Sequence, residues 1–210
     1  IKFKHYWREG FDRSKFTSSS NESTLCLWKI SKDRIYAYSV FAKKYFEKFA
    51  HSKDLLPLAS NLDEVFNNIF DHSQSQITGY IITQYYHKIN KISFSVCDFG
   101  IGIPQSIRNY DKTIPLNIED YQLLLKSLQK GYSIKSTPQN RGFGLHNIQS
   151  FIENTNGMLS IVSNNGVIKI LGEKESFGNI NFNFKGTLIK VEVDLNYFND
   201  IDDSESIMEF

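Results

Sequence analysis

The sequence predicts an α/β fold for the larger part of this 210-residue chain, on three observations. Strictly alternating apolar residues indicate strands, most clearly where Ile92, Phe94 and Val96 share one face. Apolar residues at helical spacing lie in other segments, as in Leu62 to Ser73. A hydrophobic content of 40% and an aromatic content of 14% are typical of a chain that folds around a core.

Composition divides the chain into three parts. Residues 1–54 are expected to be an N-terminal appendage, with a Ser-rich linker, a short strand at 24–30 and a helix within 33–50. The sequence leaves open whether this appendage belongs to a larger module. Residues 55–197 are expected to form the main domain, and the acidic tail at 198–210 is expected to be disordered.

Helices and strands of the main domain follow from the same patterns. Pro57 is expected to break the chain, and Ser60 or Asn61 to cap the helix that follows it. Further helices are expected at 118–130 and 141–154. Strands are expected at 77–86, 91–98, 158–163, 166–171, 180–185 and 186–195.

Charge and cysteine content limit the classes of function. A formal net charge of +1 gives no electrostatic basis for nucleic acid or an anionic membrane as the main partner. No apolar run approaches the roughly 20 residues of a membrane span. Two distant cysteines, Cys26 and Cys97, favour a reduced, cytoplasmic chain. Because the chain begins at Ile1 rather than Met, it can be a fragment that lacks a targeting segment.

The segment VCDFGIGIP places a carboxylate at the end of a strand. Asp98 continues the face of Phe94 and Val96, so the strand carries this acid onto its buried side. A buried carboxylate is costly unless something donates hydrogen bonds to it. Gly100 and Gly102 leave the following backbone bare, so another molecule can lie against it. These features predict a site for a flat ligand that offers an N–H group, such as an adenine amine.

Three further signals concern a helix, a helix start and a strand start. Glu64 and Asn68 lie one turn apart on the polar side of the helix from Leu62, although such a face can also be merely solvated. The segment RGFGL opens a helix, so free amides and the positive end of the helix point into the loop before it. Thr187 begins the buried face of the last strand and would meet Asp98 if the two strands are antiparallel neighbours.

Several familiar nucleotide-binding motifs are absent. The third glycine of a dinucleotide fingerprint is replaced by Gln105 after one glycine pair and by Asn147 after the other. No GxxxxGK[ST] phosphate loop occurs in the sequence. The DFG at residues 98–100 lacks the HRD and APE motifs of protein kinases.

The order of the four signals resembles the GHKL ATPase superfamily, which includes gyrase B subunits, MutL, heat-shock chaperones and histidine kinases. In that family the pair Glu64 and Asn68 corresponds to the N box, and DFGIGIP corresponds to the G1 box. RGFGL corresponds to the G2 box, and Gly186-Thr187 corresponds to the G3 element. The resemblance covers about residues 55–195. It implies a Bergerat-type fold, an α+β two-layer sandwich in which three helices cover one face of a mixed, mostly antiparallel sheet. The nucleotide would lie between these helices and a lid at 105–141.

The resemblance also implies a role for each matching residue. Asp98 would accept a hydrogen bond from the adenine amine, with Thr187 and a water completing its surroundings. Asn68 would bind Mg²⁺ through its amide oxygen, and Glu64 would be the general base. Lys135 and Arg141 would neutralise phosphate charge, although both also suit a solvated loop. The remaining residues assigned to ATP binding are Asp71, Gly100, Gly102, Ile103, Gly142, Phe143, Gly144 and Leu145.

Three functions are compatible with this resemblance, all with ATP and Mg²⁺ as ligands. The first is a slow ATPase that acts as a conformational switch in a larger assembly, with a protein partner or a second copy of the chain. The second is a phosphotransferase of the histidine-kinase or anti-sigma-factor type. The third is a non-catalytic ATP-sensing module. Glu64 in the position of the base favours the first.

Overall fold

The computed structural model describes residues 24–30, 35–73, 79–129 and 144–201. The described strands are β1 (Thr24–Ile30), β2 (Gly79–Tyr86), β3 (Lys91–Cys97), β4 (Met158–Leu171) and β5 (Lys174–Asp194). They form one sheet in the order β1-β2-β3-β5-β4. Every pairing among these strands is antiparallel. The expectation of a mixed sheet is therefore wrong for the described strands, and the expectation of mostly antiparallel pairing is confirmed. Short turns join β2 to β3 and β4 to β5, and such hairpins produce antiparallel neighbours.

Five α-helices are described where four were expected. They are α1 (Ile35–Glu47), α2 (Leu56–Ser73), α3 (Ile103–Tyr110), α4 (Asp120–Ser127) and α5 (Gly144–Asn154). One hydrophobic cluster joins residues of all five helices to the buried face of the sheet. Ile92, Phe94 and Val96 lie at its centre, as their alternation predicts. The expected α/β sandwich is therefore confirmed.

The N-terminal elements share this sheet and this core. β1 pairs with β2 at the sheet edge. In α1, Tyr38 is buried, its hydroxyl lies 2.8 Å from Thr83 Oγ1, and its ring meets the ring of Phe66 edge-on. Phe46 is buried against the ring of Tyr85. The boundary expected at residue 54 therefore does not separate two cores.

The start of α2 differs from the expected one. The helix begins at Leu56 and contains Pro57 in its first turn. Ser60 and Asn61 lie inside the helix, so neither of them is its N-cap. Proline is tolerated there because the first amides of a helix have no partner within the helix. Asp54 supplies a partner instead, since its Oδ1 accepts a hydrogen bond of 2.9 Å from the Leu56 amide.

The four strands expected after residue 157 are the two long strands of one hairpin. β4 pairs with β5 from Met158↔Glu192 to Leu171↔Lys174, with register shifts on both sides of Asn164. Helix α4 packs on the outer part of this hairpin at Gly166, where a Cβ atom would lie 2.8 Å from the Tyr121 amide nitrogen. The missing side chain of Gly166 thus allows α4 to approach the strand directly.

The beginning of the expected acidic tail is packed. Phe198 is buried, and its ring meets the ring of Phe151 edge-on. Asp200 forms a bridge with Lys53, and the two side chains are ion-paired at 2.8 Å. Residues 202–210 lie outside the described ranges. No helix in the described part of the chain is long and apolar enough to cross a membrane.

Candidate functional site

Asp98 lies immediately after β3, on the buried side of the sheet. Its side chain is 1% exposed, like the buried residues that precede it on the same face. The Asp98 amide donates a hydrogen bond of 2.9 Å to the Thr187 carbonyl, which extends the pairing of β3 with β5 by one residue. The predicted encounter of this carboxylate with the start of the last strand is present in the structure.

The carboxylate of Asp98 is only half satisfied. Oδ1 accepts a hydrogen bond of 2.6 Å from the Gly100 amide. Oδ2 is buried and has no hydrogen-bond partner among the described residues. Burial raises the pKa of Asp98 to about 6, although the Gly100 amide and the Thr187 side chain both act to lower it. A buried acceptor without a donor costs about 1–3 kcal/mol, which a ligand N–H group can recover.

Ser163 bonds several groups around Asp98, and the sequence patterns did not predict it as a site residue. It lies opposite Thr187 in the register of β4 and β5, and the two hydroxyl oxygens are 3.0 Å apart. The Ile103 amide donates to Ser163 Oγ at 2.9 Å, and this hydroxyl donates to the Gly186 carbonyl at 2.8 Å. A polar residue that follows Leu159 and Ile161 on a buried face is the signal that could have found it.

The backbone from Asp98 onward is here called the glycine loop (residues 98–102), and the side chain of Asn164 on β4 bonds its end and the start of α3. Asn164 Nδ2 donates to the Ile101 carbonyl at 3.0 Å, and Oδ1 accepts from the Gln105 amide at 3.3 Å. Gly102 has φ +82°, and a Cβ atom there would lie 2.6 Å from Asn164 Oδ1. The bare side of Gly102 therefore faces Asn164, and contact of Gly102 with a ligand stays a prediction.

Gly186 permits the close approach of β5 to the glycine loop. Its φ is +118°, and a Cβ atom would collide with the carbonyl oxygen of Asp98. Only glycine adopts this backbone conformation without strain, and only glycine leaves room for the neighbouring carbonyl. The Gly-Thr pair thus places the Thr187 hydroxyl next to Asp98.

Helix α2 carries the residues expected to bind the metal and activate water. Glu64, Asn68 and Asp71 occupy positions i, i+4 and i+7 of this continuous helix. The apolar stripe expected on the other side is present, since Leu62, Val65 and Phe66 are fully buried. The roles of the three polar residues stay predictions.

Asp63, next to Glu64, is engaged by α1. The Ser39 hydroxyl donates to Asp63 Oδ1 at 2.5 Å. Burial raises the pKa of Asp63, and the hydrogen bond from Ser39 opposes that rise. This carboxylate therefore joins two helices.

Part of the expected phosphate site lies outside the described residues. Lys135, Arg141, Gly142 and Phe143 are among the undescribed positions. The helix expected after them is α5, which is described from Gly144 onward. Leu145 is buried in the core, so its side chain packs inside the domain.

The described part of the expected lid is attached to β4. Arg108 on α3 binds Asp120 at the start of α4, with 2.6 Å between Nη1 and Oδ1, and its Nη2 donates to the Ile118 carbonyl at 2.7 Å. The second oxygen of Asp120 accepts from the Asn165 amide at 2.9 Å. These bonds hold α3 and α4 against the hairpin beside the glycine loop.

The structure is an α/β sandwich with a half-satisfied buried acid at the end of one strand, an arrangement that suits a nucleotide-binding domain. Residues 53–196 match the model of one family, described as "Histidine kinase-, DNA gyrase B-, and HSP90-like ATPase". The chain belongs to this family, the GHKL ATPase superfamily of ATP-binding domains, as its motifs indicated. A comparison with curated proteins found no match.

Proposed function

We propose that this domain is a slow, Mg²⁺-dependent ATPase whose nucleotide state switches the conformation of a larger assembly. The observation that carries the proposal is the buried Oδ2 of Asp98, which has no donor among the described residues. ATP brings an exocyclic amine to such an acceptor. Guanine offers a carbonyl at the same position, and two acceptors repel each other.

Hydrolysis is assigned to α2. Glu64 would take a proton from the attacking water, and Asn68, one turn further along the helix, would hold Mg²⁺. In the described ranges, no three His, Cys, Asp or Glu side chains are grouped to hold a metal ion. A single amide oxygen from the protein nevertheless suits Mg²⁺, which keeps waters and binds substrate phosphates. When bound, this ion would neutralise charge on the phosphates.

Asp63 is a weaker candidate for the base than its neighbour Glu64. Its carboxylate already accepts the Ser39 hydroxyl, and this contact joins α2 to α1. An acid occupied in this way is poorly placed to accept a proton from water. The two adjacent acids therefore provide a test and its matched control.

The substitution Glu64→Gln should lower phosphate release by a factor of about 100 or more, the usual contribution of a general base. Binding of Mg-ATP should survive, because glutamine keeps the size of the side chain. Asp63→Asn should release phosphate at a rate close to that of the parent. A single-turnover assay with labelled ATP measures both variants.

Three results would contradict the proposal. If Glu64→Gln hydrolyses ATP like the parent, Glu64 is not the base. If the parent binds ATP without releasing phosphate, even with a partner present, the domain is a sensor. Transfer of the γ-phosphate to a protein side chain would instead identify a phosphotransferase.

A further inference from the structure

Ser163 is the polar residue that links the most parts of the candidate site. It is fully buried and lies where the register between β4 and β5 begins to shift. Its hydroxyl contacts the start of α3 at Ile103, the carbonyl of Gly186 and the hydroxyl of Thr187. Register shifts beside a site commonly turn a side chain toward it. The serine is thus placed to act on the site through Thr187.

The hydrogens of the two hydroxyl groups can be assigned by counting. A serine hydroxyl has one hydrogen and two lone pairs. The carbonyl of Gly186 can only accept, so it takes the hydrogen of Ser163 at 2.8 Å. The contact of 3.0 Å between Ser163 Oγ and Thr187 Oγ1 must then use the hydrogen of Thr187.

Thr187 has a second possible acceptor for its one hydrogen. The Thr187 side chain is the cross-strand neighbour of the Asp98 side chain, because the Asp98 amide bonds the Thr187 carbonyl and both side chains are buried on the same face. Because Ser163 Oγ also accepts the hydrogen of Thr187, the Thr187 hydroxyl can turn away from Asp98 and keep a hydrogen bond. The oxygen of Thr187 is then an acceptor next to the Asp98 carboxylate, whose Oδ2 has no donor among the described residues.

We propose that Ser163 is a positioning residue that determines base specificity, because it accepts the hydrogen of Thr187 and makes the site a pair of acceptors. This inference rests on the proposed function, in which Asp98 receives the base. An amino group brings two hydrogens to the two acceptors. A carbonyl at the same ring position brings only lone pairs. The site therefore selects 6-aminopurine nucleotides over 6-oxopurine nucleotides.

Asn164 provides a matched control for a purely structural effect. It holds the glycine loop through the Ile101 carbonyl and α3 through the Gln105 amide, and its contacts within the described ranges include no hydrogen bond to Thr187. Loss of its side chain should loosen the loop without changing the hydrogen of Thr187. Asn164→Ala should therefore weaken all nucleotides in proportion.

The experiment is calorimetric titration with Mg-ATP and Mg-ITP, the inosine nucleotide, which carries a carbonyl in place of the amine. The parent should bind ATP more tightly than ITP. In Ser163→Ala the hydrogen of Thr187 is left with the Asp98 carboxylate as its acceptor, where it competes with the ATP amine, so the ratio of the two affinities should fall about fivefold, the worth of one hydrogen bond. Ser163→Thr should restore the ratio, and Asn164→Ala should leave it unchanged.

The outcomes separate this inference from the function on which it rests. An unchanged ratio in Ser163→Ala overturns the role of Ser163 and leaves the ATP site intact. A parent that does not prefer ATP to ITP overturns the assignment of Asp98 itself. If Ser163→Ala does not fold in a melting experiment, Thr187→Val replaces it. That variant lacks one acceptor, so its ratio should also fall, and an unchanged ratio overturns the proposal.

Discussion

At the scale of single residues, the candidate site keeps an unfavourable group in the core. Asp98 is buried, one of its oxygens has no donor among the described residues, and its pKa is raised to about 6. The folded domain therefore resists ionisation of this acid, although an ionised acid is the stronger acceptor for an amine. A ligand that supplies the missing hydrogen bond would stabilise the site.

This cost should be visible in the pH dependence of stability. Because the pKa of Asp98 is higher in the folded domain than in the unfolded chain, the folded state binds the proton more tightly. The free energy of unfolding must then fall as pH rises from about 4 to about 6. Without nucleotide, the parent should lose about 1–3 kcal/mol between pH 4 and pH 8 relative to Asp98→Asn. Urea unfolding at both pH values measures this, and a difference independent of pH would contradict the raised pKa.

Residues at the site differ in how well the sequence predicts them. The buried positions of Asp98 and Thr187 follow from strand alternation, because each continues the apolar face of its own strand. Ser163 and Asn164 act on the site through the pairing of β4 with β5, which spans more than twenty residues of chain. Short-range patterns do not contain that register, so the contact of Ser163 with Thr187 and that of Asn164 with the glycine loop could not be predicted.

At the scale of elements, α1 is a part of the core that composition alone assigned to an appendage. Its buried residues are spaced for a helix, but their partners lie on β2 and α2, far along the chain. A periodic pattern shows which face is apolar and does not show what covers it. The prediction of where α2 begins was wrong for a local reason, since proline suits the first turn of a helix as well as it suits a break in the chain.

Two phenylalanines of α1 test its place in the core. Phe46 is fully buried against the ring of Tyr85, whereas Phe41 on the same helix is 44% exposed. Phe46→Ala should lower the free energy of unfolding by about 3–5 kcal/mol, and Phe41→Ala should lower it by much less. Thermal unfolding of both variants measures the difference. If Phe46→Ala leaves the main transition unchanged, α1 is not part of the cooperative unit.

At the scale of the whole molecule, the site is assembled from segments that are distant in sequence. One signal lies at the end of β3, one within β5 at Gly186-Thr187, one on α2 and one at the start of α5, and the antiparallel sheet and its helices bring these segments into one domain. The order of these signals was enough to predict the family, because four such motifs are improbable in that order by chance. The packed position of Phe198 was not predictable, since an acidic composition outweighed one aromatic residue.

Asp194 offers a matched control for the central assignment. It is another buried carboxylate at a strand end. In the register of β3 with β5 it lies opposite Lys91, at the other end of β3 from Asp98. Its Oδ1 accepts a hydrogen bond of 3.0 Å from the Asn196 amide. A substitution there removes a buried charge without touching the glycine loop.

The most direct measurement is calorimetric titration of the parent, Asp98→Asn and Asp194→Asn with Mg-ATP. The parent and Asp194→Asn should bind with similar affinity. Asp98→Asn should bind at least about tenfold more weakly, because a hydrogen bond to a charged group contributes about 1.5–3 kcal/mol. Equal affinity of Asp98→Asn and the parent would contradict the claim that this carboxylate receives the adenine amine.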